Sequence, residues 1–237
     1  MSEEQQVSPG AEEYSHPGEI RLPAALAVVA AIALYALLPE KLIVGPRFVI
    51  PALEALLFVP VLAVNPRRLT RKDRRFRTMS IVVLLLIACT NAVALVELVL
   101  QLVDGSKQQG KALLTSAAQV WLTNILVFAL GFWELDRGGP VTRTQVPRDQ
   151  LPTADFRFPQ DEDHDAVREV ARRSSRASDW RPGFVDYLYV SVTNSSAFSP
   201  TDTMPLSWRA KLMMAVQSVS AILLSVLVIA RGVSLLQ

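Results

Sequence analysis

Phe184-Val-Asp-Tyr-Leu-Tyr-Val-Ser-Val-Thr-Asn-Ser-Ser-Ala-Phe-Ser-Pro-Thr-Asp-Thr-Met-Pro205 is the stretch on which the reading of this chain turns. It opens with an aromatic and apolar run that is too short to cross a bilayer, which takes roughly 20 residues. It then passes into hydroxyl and amide groups at Thr193, Asn194, Ser195, Ser196, Ser199 and Thr201, interrupted by Phe198 and Pro200 and closed by Asp202. Non-helical backbone reaches membrane depth only where protein buries it or water lines it. The stretch therefore reads as a half-helix, re-entrant or interfacial, that hands polar groups to the membrane interior. Phe184, Tyr187 and Tyr189 suit the headgroup level, and Asp186 suits the positive end of a helix. Downstream, Trp208, Arg209 and Lys211 form an interfacial anchor ahead of the apolar run from Leu212 to Leu236.

Working outward, the rest of the chain has the same character. Of its 237 residues 51% are hydrophobic, and the mean hydropathy is +0.29. The apolar residues gather in blocks: Leu22 to Leu38, Phe48 to Val64, Met79 to Val103, Ala112 to Trp133, and the last run. The fold class this predicts is all-α, a multi-span membrane helical bundle of about five transmembrane helices plus the half-helix. Pro51 and Pro60 predict a bend in the second span. The units expected are a disordered tail over residues 1–20, a four-span bundle over 21–133, a mostly soluble connector over 134–182, and the half-helix with the final span over 183–237.

Between the second and third spans lies a basic loop over 66–77, with Arg67, Arg68, Arg71, Lys72, Arg74, Arg75 and Arg77 against Asp73. Short loops of this kind remain cytoplasmic. That places the N-terminus inside and the end of the last helix outside, in a plasma membrane. A regulatory contact with anionic lipid is the alternative role for the loop. The connector holds nine arginines and ten carboxylates and casts no topological vote. Within it, Asp161 to Ala177 reads as one helix, with acids at its start and Arg172, Arg173 and Arg176 at its end.

Net charge is +2, so no nucleic-acid partner follows. The single cysteine, Cys89, excludes an internal disulfide and a cysteine metal site. His164 stands among carboxylates with no second histidine or cysteine at ligand spacing. No cofactor or metal is expected, and no nucleotide-binding or hydrolase signature is present.

Polar residues inside spans are functional candidates when a partner can be named. Counting about 1.5 Å per residue, Glu54, Glu97 and Arg231 fall at similar depths near the outer ends of their helices. They could form an ion and hydrogen-bond cluster joining helices, or a cation or proton site. Asn91 and Asn124 fall near the midplane by the same count, where an amide pair would join two helices.

Tyr189-Val-Ser-Val-Thr-Asn-Ser-Ser-Ala-Phe-Ser-Pro-Thr-Asp-Thr-Met-Pro-Leu-Ser-Trp-Arg209 is similar to the pore helix, filter and inner-helix start of two-span potassium channels. Asp202 matches the aspartate after the filter, and Arg209 the basic residue opening the inner helix. The whole chain resembles a bacterial family of integral membrane proteins classed as a domain of unknown function: four spans with a basic loop in the middle, a tyrosine-rich segment, a Ser-Asp or Thr-Asp turn, and a last span. The resemblance covers about residues 20–237 in architecture and 184–211 in motif, and it implies no activity. Ser196-Ala-Phe-Ser-Pro-Thr201 has no glycine and contains a proline, so potassium selectivity, which needs successive carbonyls turned inward, is not implied. The half-helix also enters from the cytoplasmic side, opposite to a potassium channel.

The leading expectation is an ion or small-solute path along Thr193 to Asp202, with Asp202 setting cation preference, Phe198 constricting, and a homo-oligomer around it. The alternative is a non-conducting scaffold or envelope-stress membrane protein that binds a partner or anionic lipid. An enzyme is not expected. Asp136, Asp155 and His164 converging beside the membrane would be the sign of one. A path leaves the hydroxyls of Ser195 to Thr201 facing water, whereas a scaffold bonds them within one subunit.

Overall fold

The computed structural model describes residues 17–43, 45–64, 68–69, 73–103, 110–196 and 202–234. Five helices make the bundle: α1 (Leu22–Ala36), α2 (Val49–Val64), α3 (Arg74–Val103), α4 (Gly110–Leu135) and, after the connector, the last helix, Trp208–Ser234. Three stretches, Arg74–Val103, Ala112–Gly138 and Trp208–Ala230, are long and apolar enough to cross a membrane. α1 and α2 are apolar but shorter.

Local chemistry sets the helix ends. α1 carries a proline in its first turn, where no intrahelical donor is lost. α4 is stopped by a left-handed run: Arg137, Gly138 and Gly139 have φ of 51, 76 and 92°, conformations that glycine adopts at little cost. Pro140 then opens α5 (Pro140–Gln145).

α4 is the central helix, with α1, α3, the half-helix and the last helix around it; α2 packs on α3 and α1. Small residues facing inward, Ala24, Ala27, Ala31, Ala94 and Ala129, let the backbones approach. The outer faces are apolar: Leu26, Leu56, Val59, Leu85, Val96, Val219 and Ile229 are all exposed. An apolar surface this continuous suits lipid as its solvent. Cys89 is also exposed, on α3.

One end of the bundle collects the basic and aromatic residues. Here β1 (Glu19–Ile20) pairs antiparallel with β2 (Arg68–Leu69). Arg68 donates to the carbonyls of Pro17 and Gly18, both at 3.0 Å. Of the disordered tail expected over residues 1–20, Pro17 to Ile20 are instead held at this end of the bundle, and residues 1–16 lie outside the described residues.

The connector folds onto this end instead of standing apart. β3 (Phe156–Arg157) pairs antiparallel with β4 (Met204–Pro205). Phe156 packs edge-on against Phe132 with ring centres 5.1 Å apart, and Phe158 against Tyr187 at 5.4 Å and Trp180 at 5.6 Å. The single helix expected over Asp161 to Ala177 is replaced by 3-10 turns and two short helices, α6 (Arg168–Ala171) and α7 (Ser175–Ser178). Asp161 explains the break: its carboxylate accepts from Phe158 N, Arg137 and Ser175 Oγ at 3.1, 2.8 and 2.7 Å, so the chain wraps around it. Ser174 Oγ then caps α7 by accepting from Ala177 N at 3.2 Å. Val167 and Val170 are exposed, so no apolar stripe rewards a longer helix.

Candidate functional site

The half-helix forms as α8 (Phe184–Ser196), and the last helix is α9 (Trp208–Ser234). Two acceptors cap α8: Asp186 takes Gly183 N at 2.8 Å and Glu19 takes Phe184 N at 2.5 Å. α8 runs antiparallel to α4, since Phe184 stacks edge-on against Trp133 at 5.9 Å while Ser191 Oγ donates to the Ile125 carbonyl at 2.7 Å. At about 1.5 Å per residue, its end at Ser196 falls beside the middle of α4. By Met204 the chain is back at the basic end, paired with Phe156–Arg157. α8 therefore enters the bundle partway and leaves by the end through which it came.

The polar groups on its inward face are closed within the subunit. Gln217, fully buried on α9, donates to Ser191 O, Ser191 Oγ and Ser195 Oγ at 3.1, 2.6 and 2.7 Å and accepts from Asn194 Nδ2 at 2.8 Å. Asn194 also donates to Met214 O at 3.0 Å, and Ser218 Oγ donates to Asn194 Oδ1 at 3.0 Å. Thr193 and Ser196 turn back onto their own helix, donating to Tyr189 O at 2.9 Å and Val192 O at 2.6 Å. Asp202 is exposed. Phe198, Ser199 and Thr201 lie outside the described residues. Gln217 carried a readable signal, an amide in the middle of an apolar run, and it is the residue that sequence reasoning missed here.

At mid-bundle, Asn91 Nδ2 donates to Asn124 Oδ1 at 3.3 Å, both buried. Interhelical hydrogen bonds in membranes average about 0.6 kcal/mol. A double-mutant cycle of N91A and N124A in unfolding assays should give a coupling of about that size; a coupling indistinguishable from zero would show the pair to be unbonded.

Glu54 and Glu97 do not share one buried site. Glu54 is fully buried, with Thr90 Oγ1 donating to its Oε1 at 3.5 Å, whereas Glu97 is exposed on α3. α2 begins at Val49, about 7.5 Å beyond Glu54, while Glu97 lies about 10.5 Å past Thr90. α3 thus outruns the helix that would have covered it. The side chain of Arg231 lies outside the description.

The densest polar cluster sits where α4 meets the connector. Asp136, fully buried, accepts from Asp155 N at 2.7 Å, Phe156 N at 3.3 Å, Arg137 at 2.7 Å and Tyr187 OH at 2.5 Å. Arg143, also fully buried, donates to the carbonyls of Trp133 and Asp136, both at 3.1 Å, pairs with Glu19 at 3.3 Å and lies 4.9 Å over the Tyr187 ring. Trp133 Nε1 donates to Glu19 at 2.9 Å. Burial raises the Glu19 carboxyl above its ordinary value of 4.5, against the lowering by Arg143 and its hydrogen bonds. Asp136 and Asp155 do come together, but as anchors: Asp155 pairs with Arg209 at 3.2 Å, and the side chain of His164 lies outside the description.

Of the basic loop, Arg68 is tied to the N-terminal strand, Arg77 pairs with Glu134 at 3.4 Å, and Arg74 and Arg75 are exposed. Arg67, Arg71 and Lys72 lie outside the described residues. Compared with protein-family models, curated proteins and solved structures, the chain matches none.

Proposed function

We propose that this chain is a five-span protein of the bacterial plasma membrane, related to the integral membrane family that its carboxyl-terminal motif resembles. In this reading it acts as a non-conducting scaffold with its basic end in the cytoplasm. The observation that carries this is Gln217, whose amide takes up Ser191, Asn194 and Ser195 together inside one subunit. Oxygens that replace an ion's water must face the ion. Here those of Ser191, Asn194 and Ser195 face α9, which supports α8 as an internal strut between α4 and α9 and favours the scaffold over conduction. α1 and α2 complete the span count as a hairpin, helped by polar and cationic residues at their ends.

The test is flux. Full-length protein reconstituted in liposomes, with folding checked by size exclusion, should pass no monovalent ion above the level of empty vesicles. A flux that scales with protein and is lost in S195F would overturn the scaffold reading.

A further inference from the structure

A cavity of about 350 Å³ lies inside the basic end of the bundle, between α1, α2, α3 and the end of α4. Ala24, Val28, Phe58, Val83 and Leu130 wall it, each less than a tenth exposed. That volume is within the roughly 300–1,000 Å³ of small-molecule sites and far above the voids a close-packed interior keeps. α1 presents only alanines to it at Ala24 and Ala25, and at its mouth Gly139 carries no side chain that would crowd Arg77 and Glu134.

Its lining is sorted by depth. The mouth holds Arg21, Arg74 and Arg77 against Asp73 and Glu134; apart from Ser80 and Thr142, the remaining walls are apolar. Along α3 from Arg77 to Leu84, and along α1 from Arg21 to Val28, the cavity extends about 10 Å into the bundle. A matching ligand has an anionic head at the helix ends and an apolar tail running parallel to the helices.

We propose that this cavity takes one acyl chain of an anionic phospholipid, with its phosphate held at Arg74 and Arg77. The three arginines differ in what they can give. Arg21 is committed: it donates to Val61 O and lies 6.0 Å from the Phe58 ring centre, closing the cavity's side. Arg77 pairs with Glu134 through Nε at 3.4 Å and keeps one terminal nitrogen beside the Gly139 turn, yet its side chain is 47% exposed and so open to a phosphate at the mouth. Arg74 is exposed and pairs with no carboxylate among the described residues. Guanidinium groups bind phosphate oxygens bidentately, and basic pockets between spanning helices at the headgroup level are where anionic lipids are held. A zwitterionic lipid would bring an ammonium group against this cationic mouth. A free anion would leave the apolar walls without a partner. The assignment does not depend on whether the α8 segment conducts, and its test reads lipid, not flux.

Full-length protein is reconstituted in vesicles of phosphatidylglycerol or of phosphatidylcholine with the same acyl chains, then extracted and weighed by native mass spectrometry. One phosphatidylglycerol should be retained per chain, and phosphatidylcholine should not. R74Q should weaken retention about fivefold, E134Q, which removes a competing carboxylate, should strengthen it, and A25F should abolish it by filling the cavity. Excess inorganic phosphate should leave the lipid in place; displacement by phosphate would mean a plain anion site and overturn the acyl-chain assignment. Equal retention of the two lipids, or wild-type retention in A25F, would place the lipid on the outer surface and overturn the proposal. If A25F does not fold, unchanged retention in both R74Q and E134Q has the same force.

Discussion

Arg143→Ala destabilises the protein by about 3–5 kcal/mol, the range for removing one partner of a buried charge pair. The side chain is fully buried and holds four things at once: two carbonyls at the end of α4, the Glu19 carboxylate, and the face of Tyr187. Without it, Glu19 keeps its bonds to Trp133 and to the start of α8 but loses its countercharge in a desolvated site. The effect should therefore spread from α4 to the α8 entry. Arg148→Ala is the control. Its pair with Asp179 at 2.5 Å joins side chains that are 38 and 43% exposed, and exposed pairs contribute about 0–1 kcal/mol. Thermal unfolding of detergent-solubilised protein should show a large drop for R143A and almost none for R148A. Equal midpoints for the two variants would remove Arg143 from the centre of the fold.

Asp136→Ala should be comparably damaging, with Asp136→Asn intermediate. One oxygen of Asp136 receives the backbone N–H groups of Asp155 and Phe156, and the other receives Arg137 and Tyr187. Alanine leaves all four donors without this acceptor in a site of zero exposure, at about 1–3 kcal/mol for each group left unsatisfied. Arg137 keeps Asp161 at 2.8 Å, which limits its share. Asparagine can keep its oxygen on the two backbone donors while its NH₂ meets Arg137. The order of stability should be wild type, then D136N, then D136A. If D136A melts with the wild type, or D136N below D136A, the connector is not anchored through this carboxylate. Because Asp155 and Phe156 lead into β3, which pairs with β4 just before α9, the same loss should loosen the return of the chain from α8. Limited proteolysis within 197–205 would report that directly.

Several features were legible in the residues because they depend on local quantities. Length and hydropathy marked the long helices α3, α4 and α9, and the short aromatic run with its hydroxyls marked α8 as an insert. Depth counting along ideal helices placed Asn91 level with Asn124, since both lie on long, regular helices in direct contact. The same count misled for Glu54 and Glu97, because equal depth says nothing about which helix covers which face. The connector was harder still: its arginines and carboxylates nearly balance in number, and number alone names no partner for any of them.

The sequence by itself determined that apolar blocks of this length must seek lipid or one another, and that α8 is too short to complete a crossing. The tertiary structure alone decided where the polar groups point. Gln217 meets Ser191 and Ser195 from a different helix, and Glu19 joins Arg143 across more than a hundred residues. Such partners are chosen by packing, and a buried polar atom needs one of them wherever along the chain it comes from.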